Sequence, residues 1–239
     1  MTEQDSGGNA RVPSAVAAGI RDAVFRGEYV PGQRLVEVEL CDAFQASRSA
    51  VRGALQQLAT EGLVEVQRNR GARVRRVSRD EAIEITEVRR MVEGLIAAKA
   101  AERATGEQVA DLREVITAMR RAVRQHDALG YSELNARLHA MVRQIAGHAT
   151  AAAIIERLRG QVVRHQFRLA LLPGRPARSL AQHEKIVEAV ASGDPAGAES
   201  AMHEHLDDVL NALQRMDDTD GRAAAAAPAP VPQAVDQGA

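Results

Sequence analysis

Strand-like alternation of apolar and polar residues is confined to one short stretch of this 239-residue chain, Leu63–Val66 and Ala72–Val77 around the polar turn Gln67-Arg68-Asn69-Arg70-Gly71. Everywhere else the apolar residues recur at helical spacing, and nothing after Val77 alternates. A mainly α chain with one small antiparallel ribbon near its N-terminus is the consequence. Aromatic residues make up 2% of the chain and tryptophan is absent, so any core is built from Ala, Val, Leu and Ile, which suits close helix packing. A hydrophobic fraction of 45% over this length can bury two domains. With Cys41 as the one cysteine, no intrachain disulfide forms. No apolar run approaches the ~20 residues of a membrane span and no signal-like segment opens the chain, which leads to the expectation of a cytoplasmic protein.

The ribbon is preceded by helix signals in a fixed order. Pro13 suits the first turn of a helix to about Arg26, ended by Gly27. After the Pro31-Gly32 turn, Glu37–Phe44 reads as a short helix. Ser47 is the N-cap of the next, where Val51, Leu55 and Leu58 repeat at i, i+4 and i+7 until Gly62. Charge is segregated as well. The net charge is −1, yet residues 43–79 carry eight arginines against Glu61 and Glu65. A local basic surface of this kind fits a phosphate backbone.

Within it, Arg48 and Arg52 project from one side of a single helix, and an arginine fork matches guanine O6 and N7 in the major groove. Ser47 and Ser49 at the helix start can donate to phosphates. Arg34 follows a turn, and Gly71 at the ribbon tip, flanked by Arg70 and Arg73, permits close backbone approach to the minor groove. This ordered set resembles the winged helix-turn-helix of the GntR family of bacterial transcription regulators over roughly residues 12–77. The resemblance implies DNA contacts at Arg34, Arg48, Arg52 and Gly71. It departs at Val38, where some members carry an arginine. One winged helix touches few bases, so a homodimer on a pseudo-palindromic double-stranded operator is expected.

The remainder opens with capping-box spacing at Ser78-Arg79-Asp80-Glu81 and again at Thr105-Gly106-Glu107-Gln108. Helices are expected over Ile83–Arg103, Val109–Gln125, Tyr131–Ala146, Ala151–Leu171, Ala177–Ala191 and Pro195–Arg215, giving an antiparallel bundle of about six helices. Three of the seven histidines, His139, His183 and His205, fall on three different helices and can converge inside such a bundle. Asn135 stands one turn before His139 on the same face.

These segments resemble the FCD ligand-sensing domain of the FadR subfamily: an Asp or Asn four residues before a His, then Ser-x-x-Glu-His, a Gly-Asp junction and Met-x-x-His. The resemblance implies a divalent metal, zinc first with nickel or manganese as alternatives, held by Asn135, His139, His183 and His205. It also implies a small organic acid effector. Asn135 stands where metal-binding members use an acid, and Gln182 replaces the usual Glu. Arg89 is the candidate clamp for the effector carboxylate, or else an intrahelical partner of Glu93; Arg164 and Arg168 are weaker candidates. His126, His148, His165 and His203 read as surface or supporting groups. A metal-dependent enzyme and a ligand-independent DNA-binding protein stay open as alternatives, although no nucleophile accompanies the histidines.

The expected organisation is a disordered tail at 1–10, the DNA-binding domain at 11–77, the sensing and dimerisation domain at 78–217, and a disordered Ala/Pro-rich tail at 218–239, dispensable for folding.

Overall fold

The computed structural model describes residues 12–67 and 71–216. Both tail assignments and the tip residues Arg68, Asn69 and Arg70 lie outside them. Three helices, α1 (Pro13–Phe25), α2 (Glu37–Phe44) and α3 (Arg48–Thr60), pack with three strands, β1 (Arg34–Leu35), β2 (Val64–Gln67) and β3 (Gly71–Val74). The sheet is antiparallel in the order β1-β3-β2. Ile20, Leu35, Leu40, Val51, Leu58 and Val74 meet in one aliphatic core beneath it. The strand β1 escaped the periodicity reading because two residues cannot show an alternation. Ser47 caps α3 as expected, its Oγ accepting the Ala50 N–H at 3.2 Å. The turn between α2 and α3 runs through Gln45 at φ 48, a left-handed non-glycine residue that reverses the chain.

Six helices follow among the described residues: α4 (Arg79–Arg103), α5 (Gly106–Arg124), α6 (Ala128–Ala146), α7 (Ala149–Ala170), α8 (Arg175–Ala191) and α9 (Pro195–Arg215). The central rod is α4, with α6, α7, α8 and α9 all packed on it. Its Ala97, Ala98, Ala100 and Ala101 are buried, so small side chains let neighbouring axes come close. Leu112, Met119, Leu138, Ile155, Ile186 and Leu206 fill the main core.

Several helix starts differ from the sequence reading. Asp127 caps α6 through its bond to the Gly130 N–H, and His148 Nδ1 caps α7 by accepting the Ala151 N–H, so both helices begin two or three residues early. At Ser78 only half a capping box forms. Ser78 Oγ accepts the Glu81 N–H, but the Glu81 carboxylate pairs with Arg75 instead. The Thr105–Gln108 box is complete.

A third apolar cluster, Val77, Ile85, Val162, Leu169 and Leu213, sits where the two halves meet. Here α7 touches the N-terminal unit. Gln161 Nε2 donates to the Glu61 carbonyl at 3.1 Å, and Gly62, at φ +75, leaves room for that amide where a Cβ would lie 2.6 Å from it. His165 is buried rather than on the surface, its Nε2 donating to the Val77 carbonyl at 2.9 Å.

Candidate functional site

On the N-terminal unit the sequence-derived residues divide between two edges. Ser47, Arg48 and Ser49 stand exposed at the start of α3, with the two serine hydroxyls 3.0 Å apart. Arg52, one turn on, keeps 69% of its side chain in solvent while its Nε donates to Glu37 on α2 at 2.9 Å. An exposed pair of this kind is worth ~0–1 kcal/mol, so a phosphate or base can displace Glu37 at small cost. On the other edge Arg34 stands directly across from Arg73 in the β1–β3 register. Gly71 at φ +81 adopts a conformation that side chains resist, and Arg34 Nε lies 4.0 Å from where its Cβ would be. Val38 is exposed on α2 and supplies no charge.

In the helical half, His139 on α6, His183 on α8 and His205 on α9 come together fully buried in the bundle. One ring nitrogen from each lies within 4.8 Å of the others, and the ring centroids of His183 and His205 are 4.4 Å apart. Their Nδ1 atoms face away from the centre and are each engaged. His139 Nδ1 donates to Glu93 Oε2 at 2.8 Å, His205 Nδ1 donates to Gln182 Oε1 at 3.1 Å, and His183 Nδ1 lies 3.5 Å from the Tyr131 hydroxyl. For His139 and His205, whose partners can only accept, such outer bonds fix the tautomer and leave Nε2 as the lone pair. His139 Nε2 and His183 Nε2 are 3.2 Å apart, which matches the ~3.0–3.4 Å between two nitrogens each about 2.0–2.1 Å from one ion.

Asn135 adds a separate observation. Its Oδ1 is buried and accepts no hydrogen bond, on the helix face that carries His139 one turn later. A buried acceptor without a partner is uncommon, and an ion beside the imidazoles would satisfy it. These residues could therefore hold a metal ion: three neutral nitrogens and one neutral oxygen, a set suited to zinc or nickel more than to hard cations.

The electrostatics agree. Burial, with the neighbouring imidazoles and Arg175 adding to it, pushes His183 and His205 well below the ordinary imidazole value; Glu93 only partly restores His139, which burial also lowers. All three are neutral near pH 7 and free to donate lone pairs. Burial pushes the Glu93 carboxyl up, yet Arg89, His139 and Arg159 together hold it well below the usual carboxylate range. Tyr131 is pushed up to about 12, chiefly by burial.

Arg89 is buried and forms the intrahelical pair with Glu93, Nη2 to Oε1 at 2.7 Å, while its Nη1 is buried with no partner. Both readings of this residue thus remain compatible with its position. Sequence reasoning passed over Arg143 and Arg159. Arg143 follows His139 by one turn on α6, a spacing that was there to be read; Arg159 on α7 gave no signal. The Arg164 side chain lies outside the described residues, and Arg168 sits in the last turn of α7.

A basic winged helix joined to a helical bundle with a buried polar centre is the build of a DNA-binding regulator. The comparisons agree. Residues 13–74 match the bacterial regulatory proteins of the gntR family, and residues 84–208 match the FCD domain. The HTH-type transcriptional regulator LutR of Bacillus subtilis (strain 168) is 30% identical over 219 residues, covering 80% of this chain and 95% of that protein. The HTH-type transcriptional repressor RspR of Escherichia coli (strain K12) is 28% identical over 186 residues, covering 78% and 82%. The solved structure of E. coli McbR/YncC superimposes with a TM-score of 0.76 at 20% identity, over 86% of this chain and 98% of that one, a likeness of fold. The chain belongs to the GntR family of transcriptional regulators and carries an FCD domain, the architecture of the FadR subfamily; it is a regulator, not an enzyme.

Proposed function

We propose that this regulator reads its operator as a homodimer and that a small organic acid, bound beside a divalent metal in the helical domain, sets its affinity for DNA. The reading divides the chain at about residue 77 into a DNA-binding unit and a sensing unit. The observation that carries it is the buried centre itself: three imidazoles converging within ligand distance, the unpartnered Asn135 Oδ1 and the unpartnered Arg89 Nη1. Asn135, His139, His183 and His205 would hold the metal, zinc by preference, and the bound ion would supply a Lewis-acidic point for a carboxylate. Arg89 would hold that carboxylate from the α4 side. Elemental analysis of purified protein tests the metal: about one equivalent of zinc, nickel or manganese per chain supports the reading. No metal, with no melting shift when any of the three is added, contradicts it.

The shared element for regulation is α7. Arg159 lies within electrostatic reach of Glu93, and two residues later Gln161 donates to the Glu61 carbonyl just after α3. A small rotation of α7 on ligand binding would therefore move the helix that carries Arg48 and Arg52.

The dimer is assigned to α4. Val88, Met91 and Leu95 lie at i, i+3 and i+7 and are 52%, 59% and 40% exposed. Exposed Glu84 continues this stripe at one end and half-buried Lys99, paired with Glu102 on its own helix, at the other. A second copy laid antiparallel about a two-fold axis near Met91 sets Val88 against Leu95 and Glu84 against Lys99, so the stripe is complementary to itself. Met91→Lys should give a monomer in sedimentation velocity; an unchanged dimer would remove α4 from the interface.

A further inference from the structure

Behind the histidines, charges gather that do not cancel. Arg89, Arg143 and Arg159 come from α4, α6 and α7, and each lies close enough to Glu93 to be influenced by it. Glu93 is already engaged on both oxygens, by Arg89 at Oε1 and by His139 at Oε2. The other acid in reach, Glu156, stands 3.7 Å from Arg143 with 62% of its side chain in solvent, where water screens it. Arg175, buried nearby, is treated differently, being paired with Asp208. Among the described residues the centre thus holds three guanidinium groups against one buried carboxylate.

The individual atoms bear out the excess. Arg143 Nη1, like Arg89 Nη1, is buried with no hydrogen-bond partner. A folded protein keeps such a donor where something else supplies the acceptor. Burial also pulls Arg159 down to about 10, with Arg143 and Arg89 adding to it against Glu93. The geometry gives the excess a direction. Asn135, His139 and Arg143 follow at i, i+4 and i+8 on one face of α6, so the face passes from amide to imidazole to guanidinium at about 6 Å per step.

We propose that the effector is a dianion, a dicarboxylic acid with one carboxylate on the divalent metal that Asn135 and the three imidazoles would hold and the other on Arg143 and Arg159. This rests on the organic-acid reading above and narrows its class. A monocarboxylate meets one end of the α6 face and leaves Arg143 Nη1 unpaired. A second carboxylate satisfies that donor and balances the guanidinium excess. Asn135 favours the same choice, because it is neutral where an aspartate would repel an incoming anion. The ~6 Å step from His139 to Arg143 along α6 suits an acid of about four to six carbons.

Matched probes test this. Full-length zinc-loaded protein is titrated calorimetrically, at constant ionic strength, with succinate, glutarate, adipate and galactarate. The one-carboxylate counterparts are butyrate, pentanoate, hexanoate and galactonate. At least one diacid is expected to bind roughly tenfold or more tightly than its counterpart. Arg143→Gln should abolish that advantage while leaving the counterpart's affinity unchanged. Arg159→Gln carries the same expectation and serves if the first variant misfolds. A monoacid bound as tightly as its diacid, or an advantage that survives in both variants, overturns the dianion and leaves the organic-acid reading standing. Absence of binding in both sets overturns the two together.

Discussion

Arg52 in the N-terminal unit leaves 69% of its side chain in solvent, and its partner Glu37 leaves 30%; the Arg89–Glu93 pair in the helical domain leaves 4% and 2%. The same two side-chain types are used in opposite ways. The DNA-reading unit has an aliphatic core and keeps its charges outside, where they are weakly held and can exchange partners with phosphate or base. The helical unit places imidazoles, guanidinium groups and a carboxylate inside, where each unmatched group is costly and a ligand's contribution would be correspondingly large. Recognition of a long external polymer needs displaceable charges. Recognition of one small molecule needs charges already desolvated and aimed.

The largest expected effect follows from breaking the buried set. Glu93→Ala leaves Arg89 unpaired in the interior and removes the acceptor that orients His139, and should cost about 3–5 kcal/mol of folding stability in urea denaturation. A loss under about 1 kcal/mol would mean that the pair is far wetter than its burial indicates. On the outer surface the corresponding change should leave folding alone. Arg52→Ala is expected to weaken operator binding by roughly 1–3 kcal/mol and relax preference at one base position, with an unchanged melting temperature. Equal affinity of wild type for operator and scrambled duplex would remove the specific-reader role.

Acidification should separate the halves in the same sense. Burial holds His183 and His205 well below the ordinary imidazole value, so the unfolded chain takes up protons that the folded chain does not. Metal-free protein should therefore lose stability as pH falls below about 6.5, in proportion to the protons bound on unfolding. A flat stability profile between neutrality and pH 5 would indicate that the rings are charged or solvated. The smallest effect belongs to the contact between the halves. Gln161→Ala removes the bond to the Glu61 carbonyl and the longer one from Arg75 Nη1, and should cost about 0.5–1.5 kcal/mol, yet reduce the effector's influence on DNA binding. An undiminished response would move the coupling off α7.

The two halves were also unequally legible in the sequence. The winged helix could be read almost entirely, because its signals are local: the Pro31-Gly32 turn, the Ser47 cap, the i, i+4, i+7 repeat of Val51, Leu55 and Leu58, and Gly62. Only β1 stayed hidden, being formed by its pairing with β3 rather than by any pattern of its own. In the bundle, helix count and order were legible, and so were the three histidines. Arg159 was not, since helical periodicity cannot distinguish an arginine turned into a polar centre from one in water; Arg143, one turn after His139, was legible but passed over. The burial of His165 was equally invisible, because its partner is the Val77 carbonyl, 88 residues away in sequence. Gln182 looked like a departure from the FCD pattern, yet its amide oxygen still accepts from His205, keeping the bond and dropping the charge.

The division of labour itself is tested by operator binding of wild type and His183→Ala, measured by fluorescence anisotropy on the duplex recovered with the purified protein, with and without the effector identified by calorimetry. The account predicts that metal-loaded wild type changes its operator affinity when effector is added. His183→Ala should keep the effector-free affinity and lose the response, because its DNA-reading residues are intact and its buried centre is not. A folded His183→Ala protein that still responds, or a wild type whose affinity no effector changes, would contradict it.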